Sequence, residues 1–156
     1  MSDPKTVLIV EDEKNIVDIL RFNLQRAGYQ TLEAYDGEDG LAQAVSANPD
    51  LILLDVMLPK KNGFDVCRAL RENGHRAILV DLFLGLEEVP ADLAGVDAVV
   101  FGHSHKYLQE AKDGILWLNP GSCGPRRFHQ EITMMMAEIA DGHIQVTKIT
   151  IPHEVK

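Results

Sequence analysis

Apolar and polar positions fall into two textures along this chain. Thr6 to Val10 (TVLIV) is a short β-branched apolar run, the pattern of a strand covered on both faces. From Lys14 to Ala27 the apolar residues Ile16, Val17, Ile19, Leu20 and Leu24 recur at helical spacing, and Gly28 stops the helix. Tyr29 to Tyr35 then predicts a second strand and Gly37 to Ala47 a second helix, broken by Asn48-Pro49. Leu51 to Leu54 (LILL) predicts a third buried strand, and Asp65 to Glu72 a third helix ended by Asn73-Gly74. Strands and helices in this rhythm imply a parallel sheet with right-handed crossovers.

Beyond Gly74 the texture changes. Ala77 to Leu82 predicts a fourth parallel strand, Leu84 to Leu93 a Pro90-interrupted helix or a loop, and Asp97 to Phe101 (DAVVF) a fifth buried strand. Two hairpin signals follow. Tyr107 to Ala111 and Ile115 to Leu118 flank Asp113-Gly114, and Ile132 to Ile139 and Ile144 to Ile151 flank Asp141-Gly142. The C-terminal third therefore reads as antiparallel β. The expected fold class is α/β: a flavodoxin-like parallel βα sheet continued by a hairpin-rich part, with one shared core.

Composition narrows the function. The 156 residues suffice for one domain, and 46% hydrophobic with 25% charged residues is globular. A net charge of −9 disfavours nonspecific binding to nucleic acid or acidic membranes. No apolar run reaches the length needed to cross a bilayer, and the acids after TVLIV do not suit a signal peptide. Two cysteines, Cys67 and Cys123, form no disulfide framework and no cysteine zinc site. The expectation is a soluble cytoplasmic protein that binds neither nucleic acid nor membrane. Met134-Met135-Met136 reads as strand and core filling, Trp117 as hairpin packing, and Arg126-Arg127 as a solvated turn.

Candidate chemistry starts with acids. In an open α/β sheet, ligands bind beyond the carboxyl ends of the strands where strand order reverses, between strands 1 and 3 for the order 2-1-3-4-5. Strand 1 ends in Glu11, Asp12 and Glu13, and strand 3 ends in Asp55. Carboxylates converging there repel one another, so a hard cation such as Mg²⁺ is the natural counter-charge.

TVLIVEDE and LILLDVMLPKKNGFDVCRALR, with the helix–strand rhythm between them, resemble the receiver domain of two-component response regulators over about residues 5 to 74. The resemblance implies that Asp55 is the phospho-acceptor, served by a sensor histidine kinase or a small phosphodonor. Glu11 and Asp12 would hold Mg²⁺ together with Asp55 and the backbone carbonyl of Met57. Pro59 and Lys61-Asn62-Gly63 would shape the adjacent loop. Receivers also carry a Ser or Thr ending strand 4 and a Lys ending strand 5. Here those positions fall at or near Asp81 and at Gly102 or His103. A carboxylate there repels a phosphoryl group, so impaired phosphotransfer is expected.

VVFGHSHKY followed by DGILWLNPGS resembles the small bacterial phosphodiesterases of the calcineurin-like metallophosphoesterase superfamily, over about residues 82 to 152. The resemblance implies that His103 and His105 belong to a dinuclear metal centre that activates water against a phosphoester. The family's Asp-x-His, Gly-Asp and Gly-Asn motifs are absent, and its remaining histidine position reads Leu79-Val80-Asp81. The two resemblances meet near residues 74 to 82. The chain thus reads as a chimera, natural or engineered, with a receiver-like half (1–74) and a phosphoesterase-like half (75–156) that co-fold. Its leading function is a receiver-like Mg²⁺-binding module, and the alternative is residual phosphodiesterase activity. Asp12, Asp55, Asp81 and His103 at one sheet edge could also form a mixed site, suited to Mn²⁺ or Zn²⁺ as well as Mg²⁺. His105 would belong to the same second or mixed site. Exposed edge strands make an oligomer a further expectation.

Overall fold

The computed structural model describes residues 3–74, 77–81, 96–102, 104–122, 131–141 and 143–152; for residues 77 and 79–81 it describes the backbone alone. In chain order the elements are β1 (Thr6–Val10), α1 (Lys14–Arg26), β2 (Gln30–Ala34), α2 (Gly37–Ala47), β3 (Leu51–Leu54), α3 (Gly63–Glu72), β4 (Ala77–Asp81), β5 (Val96–Phe101), β6 (Tyr107–Lys112), β7 (Ile115–Pro120), β8 (Ile132–Ala140) and β9 (His143–Ile151). They match the expected elements to within two residues at each end. The predicted helix or loop at Leu84 to Leu93 lies outside the described residues.

Seven strands form one sheet in the order β2-β1-β3-β4-β5-β7-β6, while β8 and β9 form a separate two-stranded sheet. Pairings β1–β2, β1–β3, β3–β4 and β4–β5 are all parallel. The chain steps from β1 outward to β2 and then back past β1 to β3. Right-handed crossovers in opposite directions put α1 and α2 on opposite faces of the sheet. This accounts for the two-sided burial of β1, whose Val7, Leu8, Ile9 and Val10 are all buried.

One apolar cluster runs across the whole sheet. Leu8, Val10, Ile52 and Leu54 join Val66, Cys67 and Leu70 of α3 and, from beyond Gly74, Val96, Val99, Phe101 and Ile115. The α/β class with one shared core is therefore the observed architecture.

The C-terminal third is less uniformly antiparallel than its hairpin signals imply. β6–β7 and β8–β9 are antiparallel, but β7 also pairs in parallel with β5. The reason lies in composition. β7 (ILWLNP) is apolar and takes the inner place, whereas β6 (YLQEAK) is polar and forms the edge. Both Asp-Gly turns use the left-handed region, with φ of 54° at Asp113, 79° at Gly114 and 51° at Asp141.

The methionine run corrects an expectation. It lies in a strand, but Met134 and Met136 are 40% and 49% exposed and fill no core. They share one face of a hairpin that stands outside the main sheet, which leaves much of each side chain in water. Trp117 packs as expected, partly buried against the main core.

Candidate functional site

The register of β1 and β3 builds the site. Val10 pairs with Leu54, and the Asp55 amide donates to the Val10 carbonyl at 3.0 Å. Glu11 and Asp55 are therefore the next residues out on two adjacent strands, at the switch point of the sheet. Ligand oxygens of Glu11, Asp12 and Asp55 all lie within 4.8 Å of one another. Glu11 and Asp55 are half-buried and Asp12 is exposed.

Electrostatics mark this cluster. Burial pushes the Glu11 carboxyl up to about 7, and the charges of Asp55, Asp12 and Glu13 push the same way. A hydrogen bond of 3.0 Å from the Glu13 amide to Glu11 Oε1 opposes the rise. The donor set is all carboxylate oxygen, which fits a hard divalent cation and not a soft one.

The loop after β3 closes the pocket. The Met57 amide donates to Asp55 Oδ2 at 3.1 Å, and the Gly63 amide to the Val56 carbonyl at 2.9 Å. Asn62 caps α3, its Oδ1 accepting from the Asp65 amide at 2.9 Å. Gly63 must be glycine for lack of space, since a Cβ there would lie 2.2 Å from the Asp55 carbonyl oxygen. The Lys61-Asn62-Gly63 turn thus places the α3 N-terminus hard against the strand end that bears Asp55. A buried thiol completes the picture behind it: burial pushes Cys67 up to about 12, so it stays a protonated core residue.

At the other strand ends, β4 finishes at Asp81, paired with Phe101 at the end of β5. The backbone thus brings Asp81 to the same sheet edge as the acids. His103 lies outside the described residues. His105 follows β5 with φ of 57°, and its Nδ1 is buried without a hydrogen-bond partner among the described residues. It lines a surface pocket of about 250 Å³ with Lys106, Tyr107, Glu131, Thr133 and Lys148. That pocket is not the acidic one, and His105 does not join the carboxylate group.

Asn119, in the stretch LNPGS, has a structural role that the sequence pattern alone does not mark. Fully buried, it donates from Nδ2 to the Gly102 carbonyl and to Ser104 Oγ, both at 3.1 Å. Its Oδ1 accepts from the Gly121 amide at 2.9 Å. One amide side chain therefore fixes the turn between β5 and β6.

Comparison with known proteins adds to this geometry. The model of the response regulator receiver domain matches residues 7–101, more than half of the chain. The chain belongs to the response regulator receiver family. A second family model, the calcineurin-like phosphoesterase superfamily domain, matches residues 74–142 and overlaps the receiver match across β4 and β5.

Among curated proteins, the alkaline phosphatase synthesis transcriptional regulatory protein PhoP of Bacillus subtilis (strain 168) is 52% identical over 68 residues. That stretch is 44% of this chain and 28% of PhoP, so the receiver chain spans only a minor part of that relative's length. Among solved structures, a CheY-like receiver domain protein from Methanospirillum hungatei JF-1 is 30% identical with a TM-score of 0.58. The likeness covers 64% of this chain and 82% of that one. Chemotaxis protein CheY4 of Vibrio cholerae is also 30% identical, with a TM-score of 0.51, over 55% of this chain and 74% of that one. No helix among the described residues is long and apolar enough to cross a membrane.

Proposed function

We propose that the chain is a receiver module whose acidic pocket binds Mg²⁺ and whose Asp55 accepts a phosphoryl group, at a reduced rate. The observation that carries this reading is the convergence of Glu11, Asp12 and Asp55 at the switch point. Glu11, Asp12, Asp55 and the Met57 carbonyl would hold the cation. When bound, Mg²⁺ would neutralise charge on the incoming phosphoryl oxygens. Asp55 would attack phosphorus, forming a P–O bond as the bond to a kinase histidine or a small acyl phosphate breaks. The leaving group would depart with the electron pair of the broken bond. The Met57 amide, already on Asp55 Oδ2, would hold the carboxylate in one orientation during attack.

The reduced rate follows from the later strands. Asp81 stands where a receiver hydroxyl is expected, and Gly102 or His103 where the lysine is expected. A carboxylate in place of a hydroxyl loses a donor and adds repulsion to the phosphoryl group. The overlap of two family matches supports a chimeric chain, with its receiver-like part up to residue 74 and its phosphoesterase-like part from 75.

Incubation with acetyl phosphate and Mg²⁺ followed by intact mass tests the reading. One phosphoryl adduct that forms slowly and is absent in Asp55→Asn is expected; no adduct in the parent chain rejects the phospho-acceptor role. The second reading, phosphodiesterase activity through His103 and His105, is favoured by the match over residues 74–142 and by the Asn119 clamp on the turn before His105. Hydrolysis of bis-p-nitrophenyl phosphate with Mn²⁺ that is lost in His103→Ala and His105→Ala would favour it over the first.

A further inference from the structure

Two carboxylate-bearing strand ends form the acidic pocket, and nothing in a parallel sheet alone fixes the loop that follows β3. That loop turns through Lys60 at φ of 65°, a conformation that a non-glycine residue keeps only where its surroundings hold it. The surroundings belong to α2. Lys60 Nζ lies 2.6 Å from Asp36 Oδ2, and the Gly37 amide donates to the Pro59 carbonyl at 3.2 Å. Gly37 leaves no slack, because a Cβ there would overlap the Lys61 carbonyl oxygen.

Asp36 is itself held fast. Its Oδ1 caps α2, accepting from the amides of Glu38 and Asp39 at 3.0 and 2.9 Å, which leaves Oδ2 for Lys60. α2 in turn sits tightly on β1, where a Cβ on Gly40 would come within 2.6 Å of Val10 Cγ1. Val10 is the residue before Glu11. The contacts therefore form a ring: Asp55, the β3–α3 loop, Lys60, Asp36, α2, Val10, Glu11.

We infer that the Asp36–Lys60 ion pair is a positioning latch for the carboxylate pocket, closing this ring so that the Met57 and Asp55 side meets the Glu11 and Asp12 side. The inference rests on the metal-binding reading above. Neither residue belongs to the carboxylate group that would hold the cation, so the pair would act through the loop. Lys60 is 58% exposed, so its effect is modest and falls as salt screens it.

Calorimetric Mg²⁺ titration of the full chain at low ionic strength tests the latch. Asp36→Asn keeps an N-cap acceptor and loses the charge, while Lys60→Met keeps the stem and loses the ammonium. Each is expected to weaken Mg²⁺ binding about twofold to fivefold, with no further loss in the double variant. Lys60→Arg is expected to restore the parent affinity, and high salt to bring the parent down to the variants. Thermal midpoints without Mg²⁺ are expected to stay close together. Unchanged Mg²⁺ affinity in Lys60→Met, with binding abolished in Asp55→Ala, would overturn the latch and leave the metal site standing. A parent chain that takes up no Mg²⁺ would sink the site and the latch together.

Discussion

Glu11 shows how one side chain links the pH of the solution to the pocket. Burial first, and three nearby carboxylates after it, keep its proton on up to about pH 7, against an ordinary value of 4.5. The folded protein therefore binds more protons at this site than the unfolded chain does between those two values. Without a cation, stability should fall as pH rises through that window and level off above it. Mg²⁺ competes with the proton, so its affinity should climb from pH 6 to pH 8, and Glu11→Gln should flatten both curves. Calorimetry and thermal melts across that range check this; an affinity independent of pH would remove Glu11 from the ligand set. The convergence of Glu11, Asp12 and Asp55 was legible in sequence because strand ends and switch points follow from strand order alone. The Asp36–Lys60 contact and the Asn119 clamp were not, because both depend on loop paths that bring residues 24 and 17 positions apart within reach.

The turn into α3 is tightly constrained against the strand end that bears Asp55. Gly63 abuts the backbone of Asp55 and Val56, and Asn62 supplies the cap oxygen. Gly63→Ala should cost about 1–3 kcal/mol, because the contact is backbone that cannot yield as a side chain would. Asn62→Ala should cost about 1 kcal/mol through the lost cap. Urea melts distinguish the two, and only Gly63→Ala should also weaken Mg²⁺ binding, since it alone pushes on Asp55. Equal effects on the metal would mean that the cap, not the close approach, sets the pocket. Helix and strand spans were legible because their apolar periods are strong and their stops are Gly, Asn-Pro and Asp-Gly. The place of β7 beside β5 was not, since hairpin signals specify which strands are neighbours in sequence and say nothing of which edge joins the sheet.

On the scale of the whole molecule, the main sheet and the β8–β9 hairpin differ in what holds them. The sheet carries a core from Leu8 to Ile115, whereas the hairpin is two strands with much of its apolar surface in water. Among the described residues, specific ties join it to the sheet. Thr133, almost fully buried, donates from its hydroxyl to the Pro120 carbonyl at 2.9 Å and from its amide to the Ser122 carbonyl at 3.1 Å. Lys148 lies 4.8 Å from the centre of the Tyr107 ring. Gly121, at φ of 78°, makes room for Thr133, since a Cβ there would overlap its hydroxyl. Thr133→Val keeps the volume and removes one of these ties, at a cost of about 1 kcal/mol. Hydrogen exchange followed peptide by peptide should then speed up over residues 132–151 while β1 and β3 keep their protection. Equal acceleration in every strand would mean that the hairpin and the sheet open as one unit. The acidic pocket, lying at the far side of the sheet on β1 and β3, should bind Mg²⁺ in Thr133→Val as in the parent chain.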